Sequence, residues 1–182
     1  RGAAAGPTRW RGVHGRTAVI RDGDIGPVGL GVQGLCHHAT RYLSRVELWL
    51  GNDRPMFLSS TVTNDNALLT VDLTNQDVYG NGEIAVCRGT VHLARSMFLW
   101  EGRCYERLRI WNYGLVALDL SFSLQFEADF ADIFEVRGMK RKRKGQRLDA
   151  IVDGGSIVMA YEGLDGVIRR TRLVCSPAPK KV

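Results

Sequence analysis

The chain has 182 residues, 45% of them hydrophobic and 24% charged, and these ordinary globular values exclude disorder along its whole length. The formal net charge is +6, but five of the basic residues form a single run at 140–144, and outside it the Lys and Arg residues nearly balance the 19 Asp and Glu. A nucleic-acid-binding domain usually spreads its basic residues over a face, so nucleic acid is not an expected partner.

Alternation of apolar and polar residues with a period of two dominates the chain and predicts β-strands. In chain order, the alternating stretches are 45–50, 69–74, 107–111 and 116–126, and further β-rich runs follow at 157–161 and 167–174. The longest stretch is predicted to form the spine of the core through Val116, Leu118, Leu120, Phe122, Leu124 and Phe126. Replacing Phe122 with Ala is accordingly expected to cost roughly 3–5 kcal/mol.

Turn signals separate these runs and indicate the fold class. Asn-Gly, Asp-Gly and similar pairs supply the positive φ that tight hairpins need. They occur at Asp22-Gly23, Asn81-Gly82, Glu101-Gly102, Gly154-Gly155 and Asp165-Gly166. No helical stripe of ten or more residues is present, and residues 129–134 form one helical turn at most. We therefore predict an all-β fold, a two-sheet antiparallel β-sandwich of about a dozen strands, with residues 1–182 as one domain.

Two short motifs are weak evidence for a cofactor or a metal. Residues 29–34 match the dinucleotide pattern G-x-G-x-x-G, but Gly26-Pro27 interrupts the preceding run and no β-α-β pattern follows. His37 and His38 are adjacent, and neighbouring residues on a strand point to opposite faces, so they seldom share one ion. The sequence predicts no cofactor and no metal site.

The cysteines and the termini indicate the compartment. Cys36, Cys87, Cys104 and Cys175 are far apart and form no C-x-x-C pair, which favours thiols in a reducing cytoplasm over a zinc site or disulfides. No apolar run approaches 18 residues, so no membrane-spanning helix is predicted. Residue 1 is Arg and no signal peptide is visible, so we expect a piece of a longer polypeptide.

Acidic and basic clusters lie close together in the second half of the chain. Asp129, Asp132 and Glu135 recur every three residues and could supply the two carboxylates of a glycosidase. The favoured alternative is that they cap a helical turn or pair with Arg137 and other arginines nearby. For the basic run at 140–144, a solvated loop is favoured over a contact with a polyanion.

Aromatic residues fall on the polar phase of two strands. Trp49 shares its phase with Arg45 and Glu47, and Trp111 shares its phase with Tyr105, Arg107 and Arg109. A face with Trp, Tyr and Arg has the composition of an interface, so a docking surface is favoured. Stacking on a sugar ring and ordinary packing remain alternatives.

Six segments together resemble a known family. They are residues 41–48, 59–66, 70–75, 105–114, 129–138 and 163–171. In order and spacing they resemble the N-terminal domain of bacterial glycogen debranching enzyme-like proteins, the amylo-α-1,6-glucosidase group. The resemblance runs from about Asp24 to about Pro179, and residues 129–138 are its most specific element. The family tends to show Arg-Asp-Thr-Arg where this chain has His38-Ala39-Thr40-Arg41, so a charged role for that turn is in doubt.

The resemblance implies a non-catalytic β-sandwich that precedes a catalytic α/α barrel of helical hairpins. The barrel would carry the glycosidase carboxylates, so this chain alone is not expected to be an enzyme. The implied partner is the C-terminal catalytic domain, with α-glucan as a candidate ligand, no membrane, and self-association of the isolated domain expected. The candidate site residues are Trp49, Tyr105, Arg109, Trp111, Asp129, Asp132, Glu135 and Arg137. A stand-alone carbohydrate-binding module and a polyanion-binding protein are the alternatives.

Overall fold

The computed structural model describes residues 10–14, 17–21 and 33–182, and these residues form fifteen strands and one short helix. In the first half of the chain the strands are β1 Trp10–His14, β2 Thr17–Arg21, β3 Gly34–His37, β4 Thr40–Leu43, β5 Arg45–Leu50, β6 Met56–Val62, β7 Leu68–Thr74, β8 Val78–Gly80 and β9 Glu83–Val86. The second half contributes β10 Val91–Trp100, β11 Arg103–Asn112, β12 Phe122–Glu127, α1 Ile133–Val136, β13 Gln146–Asp153, β14 Ser156–Glu162 and β15 Ile168–Val174.

Every strand pair is antiparallel, and the strands pack as layers around an apolar core. The hydrogen-bonded orders are β1-β2-β3-β4, β11-β10-β7-β6, β12-β5, β13-β14-β15 and β8-β9. The main cluster lies between β5 and β12 on one side and β7 and β10 on the other, and its most buried members are Leu48, Leu69, Val71, Leu93 and Met97. The predicted all-β sandwich is confirmed.

The apolar residues that alternate at 45–50 and 69–74 lie on the buried faces of β5 and β7, but the longest alternating stretch is not the spine of the core. Only residues 122–126 of that stretch belong to a strand, β12, which pairs with β5. Leu118, Leu120 and Phe122 are partly buried against the core, whereas Val116 is 67% exposed and Leu124 is 44% exposed. The prediction that all six apolar residues form the spine is therefore wrong.

A turn after β11 explains why the strand does not begin at Val116. Asn112 accepts a hydrogen bond from the Gly114 N–H (2.8 Å) and donates one to the Val116 carbonyl (2.7 Å). Such an Asn-centred turn bends the backbone away from the extended conformation that an alternating pattern requires. The hydrogen bonds of the Asn112 side chain thus prevent residues 116–121 from forming the strand that the alternation predicts.

The turn dipeptides behave as predicted wherever the structure describes them. Both residues of Asn81-Gly82, Glu101-Gly102 and Gly154-Gly155 have positive φ, which is the geometry of a two-residue type I′ hairpin turn. The predicted turn Asp22-Gly23 and most of the glycine motif at 29–34 lie outside the described residues.

The turn between β14 and β15 contains an ion pair that depresses the pKa of a carboxyl group. Arg169 donates two hydrogen bonds to Asp165 (3.0 and 2.7 Å), and the Val167 N–H donates another (3.1 Å). These bonds lower the pKa of Asp165 to about 2. The folded pKa lies below the unfolded value of about 3.9, so this stabilisation is complete above that pH and is lost as the pH falls toward 2.

An NMR titration of the side-chain carboxyl group tests this ion pair. We expect the Asp165 midpoint near pH 2 in the wild-type chain and closer to the ordinary aspartate value in Arg169→Gln. The exposed Asp153, which has no such partner in the turn between β13 and β14, serves as the internal control. A wild-type Asp165 midpoint near pH 4 would contradict the pairing.

Candidate functional site

Residues 129–138, the acidic segment, fold back onto the hairpin formed by β3 and β4. The Arg41 N–H donates to the Ala131 carbonyl and the Ile133 N–H donates to the Ala39 carbonyl, both at 2.8 Å. A β-bridge between Thr40 and Asp132 lies between these two bonds. The acidic segment is therefore positioned by the backbone of the hairpin before any side chain contributes.

A buried ion pair anchors the beginning of the acidic segment. The Arg41 Nε donates to Asp129 Oδ1 at 3.1 Å, and its Nη2 donates to the other carboxylate oxygen. The two side chains are only 7% and 12% exposed. Gly34 makes room for this arginine, because a Cβ at that position would lie 2.5 Å from Arg41 Cδ. Two-point contacts of this kind hold a carboxylate in one orientation.

Asp132 and Glu135 form the capping box of α1. Asp132 Oδ1 accepts hydrogen bonds from the N–H groups of Phe134 (2.8 Å) and Glu135 (3.0 Å), and Glu135 Oε2 accepts one from the Asp132 N–H (3.2 Å). Reciprocal capping satisfies backbone donors that a helix start leaves unpaired. The interpretation of these two acids as helix caps is confirmed. Arg137 is the exposed C-cap of the same helix.

The basic run turns back onto the two capping carboxylates. Arg141 Nη2 lies 2.6 Å from Asp132 Oδ2, and Lys144 Nζ lies 2.9 Å from Glu135 Oε1. Burial acts to raise the pKa of Asp132, but hydrogen bonds from the Glu135 and Phe134 N–H groups and from Arg141 outweigh it and lower the pKa. The hydrogen bond to Glu135 raises the pKa of Lys144. The run at 140–144 is thus an exposed loop, as expected, and two of its five basic residues pair with acids.

The acidic segment borders a small open cavity of about 240 Å³. Its lining includes Asp129, Phe130, Glu135, Lys144, Arg147 and Tyr161. Phe130 is buried with φ +53° and stacks on Tyr161, with ring centroids 5.6 Å apart and planes 10° apart. The Gly145 N–H donates to Tyr161 Oη at 2.7 Å. The lining is charged, but its two carboxylates are already bound to Arg41 and Lys144.

The hairpin turn that supports the acidic segment is strained. His38 has φ +46° and Ala39 has φ +62°, the left-handed region that alanine adopts at a cost of about 1–2 kcal/mol. Aspartate tolerates this conformation better than alanine does. Ala39 therefore adds strain to the backbone of the turn.

We expect Ala39→Gly to raise the free energy of unfolding by about 1 kcal/mol, because glycine adopts positive φ without the Cβ clash. Urea denaturation measures the change. The matched control is Ala160→Gly in β14, where the same substitution should destabilise by about 0.5–1 kcal/mol. A loss of stability in both variants would show that the turn is not strained.

A second group of candidate residues lies on the outer face of β10 and β11. Tyr105, Arg109 and Trp111 lie on this face of β11 as their phase predicts, and all three are exposed. Trp111 packs against the His92 ring at 5.2 Å and lies under the Arg109 guanidinium at 5.5 Å. We call this surface the aromatic–arginine face and define it by Phe98, Trp100, Arg103, Tyr105, Arg107, Arg109 and Trp111.

Trp49 belongs to neither group. It lies on β5 and is half-buried, with Arg54 5.8 Å from its ring centroid. Glu47, expected on an open face beside it, is only 3% exposed, because Arg45 and Arg54 bind its carboxylate at 2.8 and 3.1 Å. The prediction of an exposed Trp49 face is corrected accordingly: ion pairs cover it.

The basic partners of the three acids could not be predicted from local patterns in the sequence. Arg41 is 88 residues from Asp129 in the chain, and the sequence carries no pairing signal for it beyond its place in one of the resembling segments. Arg141 and Lys144 stand out in the sequence only as members of the basic run at 140–144. The rings of Phe98 and Trp100 extend the aromatic–arginine face, and their phase on β10 would have indicated them.

The described residues contain no grouping typical of a metal site and no disulfide. Within residues 10–14, 17–21 and 33–182, no three His, Cys, Asp or Glu side chains are grouped as a metal site would need. The four cysteines form no disulfide. None of the helical residues that the structure describes forms a segment able to cross a membrane.

Comparison with known proteins gives one match that covers nearly the whole chain. Residues 14–182 match the family model described as the N-terminal domain of some glycogen debranching enzymes. No curated protein and no solved structure is similar enough to the chain to count as a match. The matched range contains the acidic segment, its hairpin and the aromatic–arginine face. The chain therefore belongs to the family of N-terminal domains of glycogen debranching enzymes.

Proposed function

We propose that this chain is a non-catalytic domain that supports the catalytic α/α barrel of a debranching glycoside hydrolase of the amylo-α-1,6-glucosidase type and helps to shape its α-glucan site. The observation that carries the proposal is the aromatic–arginine face. The family match supports the enzyme class, and the thiol state of the four cysteines supports a cytoplasmic location.

The aromatic–arginine face has the composition of a protein interface. Trp100 is 55% exposed and Trp111 is 37% exposed, with exposed arginines between the rings. The adjoining chain adds further exposed apolar side chains, among them Tyr113 at 69% and Leu115 at 104%. Aromatic residues and arginine are enriched at interfaces, and contiguous apolar surface of this kind is uncommon on a solitary domain.

The contacts of the carboxylates in the acidic segment support a structural role for them. Glycosidic hydrolysis needs one carboxyl group that can give up a proton and a second that is open to water or to the sugar. Here Asp129 is bound to Arg41, Asp132 caps α1 and binds Arg141, and Glu135 binds Lys144. These contacts occupy all three carboxylates, and hydrogen bonds from the Glu135 and Phe134 N–H groups and from Arg141 lower the pKa of Asp132, which is unsuitable for a general acid.

Co-expression with the C-terminal portion of the parent polypeptide tests the docking role. We expect the two parts to associate, and we expect Trp111→Ala and Arg109→Ala each to weaken association by more than about 1 kcal/mol if they are central contacts. Val174→Ala, an exposed residue on β15, is the matched control and should bind like the wild-type chain. Wild-type affinity in all three variants would remove the aromatic–arginine face from the interface.

The same purified chain distinguishes the carbohydrate-binding alternative. We expect it to release no glucose from branched or linear α-glucans and to show no change in Trp fluorescence with maltoheptaose. Fluorescence quenching that disappears in Trp111→Ala, together with no association with the C-terminal portion, would replace the docking role with a carbohydrate-binding one. Glucose release that disappears in Asp132→Asn would overturn the non-catalytic assignment.

A further inference from the structure

The stretch 137–147, which connects α1 to β13, carries more positive charge than the acids near it balance. It contains no acidic residue and seven basic ones: Arg137, Lys140, Arg141, Lys142, Arg143, Lys144 and Arg147. Salt bridges to the acidic segment engage Arg141 and Lys144. The other five are exposed, and no salt bridge within residues 10–14, 17–21 and 33–182 engages them. This surface therefore attracts anions.

The end of this stretch is fixed against β14 beside the cavity of about 240 Å³. A Cβ at Gly145 would overlap the Glu162 carbonyl, so only glycine lets the backbone come this close to β14. The Gly145 N–H donates to Tyr161 Oη at 2.7 Å, and Arg147 is opposite Tyr161 in the register of β13 and β14. Residues directly opposite one another in two paired strands share a face of the sheet. Arg147 and Tyr161 accordingly line the cavity together with Lys144.

Three groups that line the cavity have unused hydrogen-bond donors. The Arg147 guanidinium has no hydrogen bond or salt bridge to any side chain of the described residues. Lys144 Nζ lies 2.9 Å from Glu135 Oε1, which leaves two of its three N–H donors unused. Tyr161 Oη accepts a hydrogen bond from Gly145, and within the described chain no group accepts the hydroxyl proton. A guanidinium, an ammonium and a hydroxyl can therefore donate to one ligand.

The two carboxylates of the lining are already engaged. Arg41 binds both oxygens of Asp129, and Glu135 binds Lys144 through Oε1 and the Asp132 N–H through Oε2. The cavity is smaller than the roughly 300–1,000 Å³ of sites for drug-sized ligands, so it suits a small ligand with several acceptor oxygens. A phosphate group has three such oxygens and a charge of about −2 at neutral pH, whereas a carboxylate has only two oxygens and half that charge.

We propose that this cavity binds a phosphate group, either free in solution or carried by a sugar. Arg147 and Lys144 are the charged ligands, and the Tyr161 hydroxyl is the third donor. The remaining cations of the stretch 137–147 raise the local concentration of the dianion. The site uses no residue of the aromatic–arginine face, so the inference goes beyond the proposed function and is independent of it.

NMR titration of the full chain at constant ionic strength tests the proposal with three ligands: glucose 6-phosphate, inorganic phosphate and glucose. We expect both phosphates to shift the Gly145 and Arg147 amide signals saturably at millimolar concentration, and glucose to shift neither. Tighter binding of glucose 6-phosphate would identify a sugar phosphate as the source of the group, and tighter binding of inorganic phosphate would identify the free ion. No saturation by either phosphate, or equal shifts with glucose, would overturn the proposal.

Charge variants separate the cavity from general attraction to the basic surface. Arg147→Gln should weaken phosphate binding at least tenfold, because it removes a charged donor. Arg170→Gln is the matched control: Arg170 is also exposed and lies on the opposite face of the same sheet, so its loss should change affinity less than twofold. The triple variant with Ser at Lys140, Lys142 and Arg143 should weaken binding less than Arg147→Gln does.

Tyr161→Phe keeps the ring that stacks on Phe130 and removes only the hydroxyl, so it should weaken phosphate binding at least threefold without unfolding the chain. Equal effects of Arg147→Gln and Arg170→Gln would contradict the site. So would loss of binding in the triple variant while Arg147→Gln and Tyr161→Phe bind like the wild-type chain, because the anion would then be held by the exposed loop alone.

Discussion

Asp129→Asn is expected to destabilise the domain by about 3 kcal/mol, because it leaves the Arg41 guanidinium buried without its counter-charge. The substitution keeps the shape of the side chain, so packing changes little and the effect reports the lost charge. Chemical denaturation followed by far-ultraviolet circular dichroism measures the free energy of unfolding.

Asp132→Asn is the matched control for this prediction. The Asp132 side chain is 36% exposed, its partner Arg141 is 43% exposed, and asparagine is as good a helix N-cap as aspartate. Its cost should stay below about 1 kcal/mol, as for other exposed ion pairs. Equal losses of unfolding free energy in the two variants would show that the buried Arg41–Asp129 pair stabilises the domain no more than the exposed Asp132–Arg141 pair does. Loss of activity in an Asp129 variant would therefore reflect unfolding of the domain, because an unfolded domain is inactive in any assay.

Leu93→Ala is the second large expected effect, a loss of about 2–5 kcal/mol. Leu93 is fully buried on β10, the strand between β7 and β11, and truncation of its side chain leaves a cavity in the main cluster. Thermal and urea denaturation should both show the loss of stability. A larger cavity should place the loss nearer the upper end of this range.

Two variants in the alternating stretch at 116–126, compared with Leu93→Ala, test which residues belong to the core. Val116 is 67% exposed, so Val116→Ala should change stability by no more than about 0.5 kcal/mol. Phe122 is half-buried against the core, so Phe122→Ala should fall between Val116→Ala and Leu93→Ala, below the roughly 3–5 kcal/mol expected from the alternation alone. A Val116→Ala cost equal to that of Leu93→Ala would restore this stretch as the spine of the core.

The strands, the tight turns and the family could be predicted because each depends on local order along the chain. A period of two at 45–50 and 69–74 places alternate side chains on opposite faces wherever the strand lies, and β5 and β7 follow it. Pairs such as Asn81-Gly82 carry their own backbone geometry into the hairpin. Spaced segments from 41–48 to 163–171 indicated the family, and the match over residues 14–182 confirms it.

What surrounds each face was decided only by tertiary structure. Alternation separates the two faces of a strand but does not say which face other parts of the chain cover. Glu47, on a polar phase, is enclosed by arginines, whereas Val116, on an apolar phase, is exposed to solvent. Whether the carboxylates of the acidic segment are paired depends on partners elsewhere in the chain, above all Arg41, which is 88 residues from Asp129. Local periodicity carries no information about such contacts. The sequence therefore determined which residues form strands and turns, and the fold determined which of the charged residues became neutralised pairs.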